Sequence, residues 1–123
     1  MRLAAVVLLF AGILAAADNV DETAGAWNGR AWNKMDSAMK VACLRGAYEG
    51  DGLCRVIAGA PSGWPASLTF GEIVSALDVF YKEPTNAPIP VVIGALAYVK
   101  RKADGASDTE LKRFEAELRR RSR

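Results

Sequence analysis

The sequence predicts an all-α fold, a compact bundle of four to five helices after a cleaved N-terminal signal peptide. Three observations carry that prediction. Glycine and proline cut the chain into blocks whose apolar residues recur at helical spacing. Two of these blocks open on a Ser/Thr-x-x-Glu capping box, Thr69 to Glu72 and Ser107 to Glu110. No block sustains the alternation of a half-buried strand, and none reads as a repeat or a low-complexity tract.

The chain starts with a positive pair, Met1-Arg2. Leu3 to Ala17 are then apolar or small without a break, closing on Ala15-Ala16-Ala17 just before Asp18. A charged start, an apolar middle and small residues ahead of the cut are the layout of a secretory signal. The run falls short of the ~20 residues that a spanning helix needs. Residues 1–17 are therefore expected to be removed rather than kept as a transmembrane anchor. That leaves 18–123 as a single helical domain, periplasmic or secreted.

Over its 123 residues the chain carries a formal charge of +2 at pH 7. Removing Arg2 lowers that by one, too small an excess for nucleic acid to be the main partner. Asp18, Asp21 and Glu22 make an acidic start, and the stretch from Arg119 to Arg123 makes a basic tail. The tail is either a solvated, fraying end or a contact for an anionic surface or acidic partner. Histidine is absent and there are 2 cysteines. Ser-His and Cys-His nucleophile pairs, histidine metal sites and a four-thiolate zinc site within one chain all fall away. No catalytic residue, metal or cofactor is expected.

In the first block, Ala24 to Trp32, Asn28-Gly29 favours a turn between two tryptophans. A short helix or turn with Trp27 and Trp32 packed down as anchors is expected; an aromatic ligand platform is the alternative. The second block opens near Asp36, a good N-cap. Met35, Met39, Ala42, Cys43, Gly46 and Gly50 share one helical face, with Gly46 and Gly50 one turn apart as a close helix contact would need. The spacing resumes at Leu53, Cys54 and Ile57, so one long helix to about Ala58 is favoured over a turn at Gly50-Asp51-Gly52. Export invites a Cys43–Cys54 disulfide. Yet the intervening helical steps of ~1.5 Å place the two α-carbons roughly 16 Å apart, against a limit of ~7 Å. The bond requires the glycines to break the helix.

Gly59 to Ser67 is a loop by composition, with Trp64 either folded back on the core or exposed as a contact. The third helix starts at the Thr69 cap, with Leu68 placed to staple onto Ile73. Ile73, Val74, Leu77, Phe80 and Tyr81 form its apolar stripe, and Glu83-Pro84 ends it. Glu72 and Asp78 could be tried as an acid-base pair. Their offset puts them on opposite sides of the helix, and Glu72 already serves the cap. The linker Pro84 to Pro90 holds three prolines and should be stiff and largely extended, with Pro90 in the first turn of the next helix. Val92, Ile93, Leu96, Ala97, Tyr98 and Val99 make that fourth helix apolar, Lys100, Arg101 and Lys102 suit its C-terminus, and Gly105 fits its stop. The fifth helix follows the Ser107 box. It has a narrow seam of Leu111, Phe114 and Leu118 and a charged outer face with pairs Glu115–Arg119 and Glu117–Arg121.

Several strings in this layout resemble those of known proteins. Gly29 and Trp32, Lys40, Gly46 and Gly50, Thr69-Phe70-Gly71-Glu72, and then Tyr81, Pro84, Asn86, Ile89 and Pro90 resemble a group of small exported bacterial helical proteins. The arrangement is also similar to the Rap and Tai immunity proteins, which protect bacteria from peptidoglycan amidases delivered by type VI secretion. The matching positions are Cys43-Leu44, Pro65 to Glu72 and Ile89-Pro90. That family's second cysteine, two residues before the proline, is replaced here by Gly63, so its disulfide does not transfer.

The resemblance implies a non-enzymatic exported binding protein that occludes the cleft of a secreted cell-wall amidase. Trp64, Tyr81 and Asn86 are the candidate partner contacts, because large rigid aromatics carry much of the energy of interfaces. The alternative for these residues is that Tyr81 closes the core and Asn86 caps a turn. A secreted effector is the implied partner, a homodimer is also open, and the alternative role is a periplasmic structural or chaperone-like helper.

Overall fold

The computed structural model describes residues 20–59 and 63–123, with the backbone alone at 54 and 55. The signal peptide expected over 1–17 lies outside the described residues. The described part begins with a feature the sequence did not predict, a miniature antiparallel ribbon of β1 (Glu22–Thr23) and β2 (Ala26–Trp27). Ala24 and Gly25 turn between them, both at positive φ (52° and 77°). A two-residue turn with both φ positive matches the twist of paired strands. Two residues per strand are too few to show any period.

Five α-helices follow: α1 (Gly29–Lys34), α2 (Ser37–Ala58), α3 (Phe70–Phe80), α4 (Leu96–Ala103) and α5 (Asp108–Arg121). Asn28 caps α1, its side-chain oxygen accepting from the Arg30 amide at 3.0 Å. Asp36 does the same for α2 through the Met39 amide at 2.8 Å. Both predicted capping boxes form, Thr69 with Glu72 and Ser107 with Glu110. Helix α4 ends as expected at Gly105, whose φ of +88° is open to glycine. The Gly105 amide donates to Lys102 O and the Ala106 amide to Arg101 O, the crossed pair that closes a helix end.

Helix α2 runs unbroken through Gly46, Gly50 and Gly52. Cys43 is a free thiol, half-buried, and burial pushes its pKa up. The break that a Cys43–Cys54 bond requires does not occur. The core face of α2 also differs from the expected one: Cys43, Leu44 and Ala47 face inward, while Met39, Gly46 and Gly50 are exposed. A Cβ on either glycine would meet nothing within 4 Å, so among the described residues no helix packs on that step.

The Pro84 to Pro90 linker is folded tight rather than extended. Pro84–Asn86 form a 3-10 turn capped by Glu83. After Pro90 the chain makes one π-helical turn, Val91–Ala95, before α4. The Ala95 amide reaches Pro90 O at 3.0 Å, five residues back. The basic tail continues the helix: Arg119, Arg120 and Arg121 form the last turn of α5, and Ser122 caps it by donating to Leu118 O at 2.8 Å. The core gathers Trp32, Leu44, Ile73, Leu77, Ile89, Val91, Leu96 and Val99 between these elements. Trp27 is half exposed and does not anchor.

Candidate binding surface

Tyr81 lies against bare backbone. A Cβ on Gly29 would sit 2.2 Å from Tyr81 Cδ1, so the phenol ring occupies the space of the missing methyl. The Tyr81 hydroxyl donates to Ile89 O at 2.8 Å, and burial drives its pKa far above that of a free phenol. Asn86 is buried alongside. Its amide donates to Phe80 O at 2.9 Å and to Glu115 Oε1 at 2.7 Å, and its oxygen accepts from Arg119 Nε at 2.7 Å. One asparagine thus ties the end of α3, its own turn and α5 together.

The ribbon fastens the same segment from the other side. The Gly29 amide donates to Ala87 O at 2.9 Å, Thr23 Oγ1 donates to Pro88 O at 2.6 Å, and Asn28 bridges Pro90. Gly94 completes the brace, since a Cβ there would stand 2.6 Å from Ile89 Cγ2. Farther out, Asp78 accepts from Trp32 Nε1 and from Lys40 Nζ, each at 2.8 Å, and Lys40 lies over the Trp32 ring. Asp78 and Glu72 therefore do not meet: the first holds Trp32 and Lys40, the second the Thr69 cap.

Trp64, Tyr81 and Asn86, expected as partner contacts, are each 7% exposed or less. Tyr81 and Asn86 take the alternative roles, closing the core and stapling a turn. Trp64 stacks edge-to-face with Tyr48 at 5.1 Å and with Phe70 at 5.8 Å. The sequence marks these as special residues, because bulky aromatics and an asparagine between prolines stand out. It could not tell outward from inward, which depends on Gly29 and Arg119, far away along the chain.

What the braced segment presents is Val92 and Ile93. In a regular helix from Pro90 these two would share a face with Leu96. The π turn adds one residue, so Val91 and Leu96 point inward together while Val92 and Ile93 stand out, Ile93 at 69% exposure. Single π turns are uncommon and occur often at functional sites. Beside them is a groove of about 240 Å³ with Trp64, Ala47 and Ala97 in its walls. Only local hydrogen bonding distinguishes this turn from an α-helix, so the sequence carried no signal for it.

A second groove, of about 630 Å³, lies between the end of α4 and α5. Arg101 stacks over Phe114 with its guanidinium carbon 4.0 Å from the ring centroid. Glu110 there is committed to its cap. Hydrogen bonds from Arg120 and Arg121 pull the Glu117 carboxyl down to about 2. Among the described residues no three His, Cys, Asp or Glu side chains gather where one metal could bind, and no helix is long and apolar enough to cross a membrane. Compared with known proteins, the chain matches no protein-family profile, no curated protein sequence and no solved structure.

Proposed function

We propose that this chain is an exported, non-enzymatic binding protein of the immunity kind. In this reading residues 1–17 direct export and are cut off. The remaining domain seats Val92 and Ile93 in the cleft of a secreted cell-wall amidase and keeps substrate out. The observation that carries the reading is the placement of two bare aliphatic side chains on a turn fixed from several sides, by Tyr81, Gly94, Asn28 and the ribbon. Burying an exposed aliphatic side chain is worth ~1.5–3 kcal/mol, and a rigid turn loses little entropy on docking. The chain also has no histidine, which removes the commonest general base.

The test is inhibition of peptidoglycan turnover by amidases encoded beside this gene, with the purified periplasmic protein and its Ile93→Asp variant. Wild type should inhibit. The variant should lose at least tenfold in potency with its thermal midpoint intact, because Ile93 contributes little to the core. Failure to bind or neutralise any neighbouring amidase, or inhibition indifferent to Ile93→Asp, overturns the proposal.

A further inference from the structure

Helix α2 has two apolar faces, and the bundle fills only one. On the open face Met39, Ala42, Gly46, Gly50, Leu53 and Ile57 are all exposed, with Met39 at 53%, Leu53 at 64% and Ile57 at 78%. At ~100° per residue these six fall within about 80° of arc, along roughly 27 Å of helix. A continuous stripe of this kind is an interaction surface rather than scattered surface leucines.

We infer that this face pairs with the same face of a second copy, antiparallel, to form a dimer. An isologous contact needs a face that complements itself when reversed. This one has large residues at both ends, small ones in the middle, and nearly the same spacing read from either end. Turned end for end about the level of Tyr48, Met39 of each copy meets Ile57 of the other. Gly46 meets Gly50, where two bare backbones can approach closely. Charge selects the same arrangement. Arg45 and Glu49 lie exposed on one flank of the stripe. In an antiparallel pair that flank meets itself reversed, so Arg45 of each copy lies about two residues' rise from Glu49 of the other, two attractive pairs against a single Glu49–Glu49 approach at the two-fold axis. A parallel pair sets this flank against the opposite one, where Cys43 and Ala47 offer Arg45 no charge and Asp51 comes level with Glu49, a like charge.

One helix pair makes an interface below the ~1,200 Å² of standard complexes, so the dimer should be reversible and concentration-dependent. Sedimentation equilibrium of the purified chain tests this. A dimer is expected at about 100 µM, a concentration suited to an interface this small. Gly46→Leu, which meets open space in the single chain, should give a monomer with unchanged helicity. Arg45→Glu and Glu49→Arg should each weaken pairing about tenfold, and the double exchange should restore it. Arg45→Glu, on the flank of α2 turned away from Ala47 and the groove beside Ile93, should weaken pairing yet inhibit an amidase like wild type, which separates this inference from the amidase proposal. A chain that stays monomeric at that concentration overturns the inference. So does a dimer that ignores both Gly46→Leu and the charge exchange.

Discussion

Gly29 and Tyr81 compete for one methyl-sized space, and the ring holds it. Gly29→Ala forces the Tyr81 ring off its seat and disturbs the hydrogen bond to Ile89 O. Overpacking of this kind costs ~1–3 kcal/mol, so the urea midpoint should fall with little change in slope. The same ring gives a pH dependence. Burial raises the folded-state pKa of Tyr81, so the unfolded chain loses this proton first once pH passes ~10. Stability from the neutral phenol is complete below that pH and is lost above it. Thermal midpoints should therefore drop on the alkaline side, and Tyr81→Phe should flatten that drop at the cost of about 1 kcal/mol for the lost hydrogen bond. At this scale the sequence identified the residues but not their partners. Gly29 reads as half of an Asn-Gly turn until the ring lying on it is seen.

Helix starts were the most legible elements, because a cap is a local contract among four residues. Thr69 and Ser107 each satisfy an orphan amide, and each glutamate returns a bond to the cap backbone. Ser107→Ala should cost about 1 kcal/mol. Hydrogen bonds from the cap residues hold the Glu72 and Glu110 carboxyls below their usual range, and those from Arg120 and Arg121 do so for Glu117. A lowered folded-state pKa means support that is present above ~4.3 and fades as pH falls through the folded values. Acid should therefore loosen α5, and in a pH series of thermal melts Ser107→Ala should remove part of that acid arm. Helix faces were less legible than helix starts. Periodicity made α2 amphipathic, but Met, Ala, Cys and Gly suit either side of it. Leu44, and Lys40 reaching Asp78, chose the inner one.

For the molecule as a whole, Asn86 is the junction. It joins α3, the proline turn and α5 through side chains 29 and 33 residues away in sequence. Asn86→Ala leaves Phe80 O, Glu115 and Arg119 short of a partner and should cost ~2–4 kcal/mol. With Arg119→Ala it should be non-additive by at least ~0.5 kcal/mol in a double-mutant cycle, because both report on one network. The sequence by itself determined the helical class, the caps, the Gly105 stop, the unbroken length of α2 and the seam of α5. These follow from contacts within about one turn of chain, where identity and spacing are enough. The tertiary structure alone decided that Trp64, Tyr81 and Asn86 turn inward, that Pro84 to Pro90 folds tight, and that a π turn pushes Val92 and Ile93 into solvent. Each of these depends on groups brought together from distant positions, and packing rather than local preference determines which side of a residue faces water.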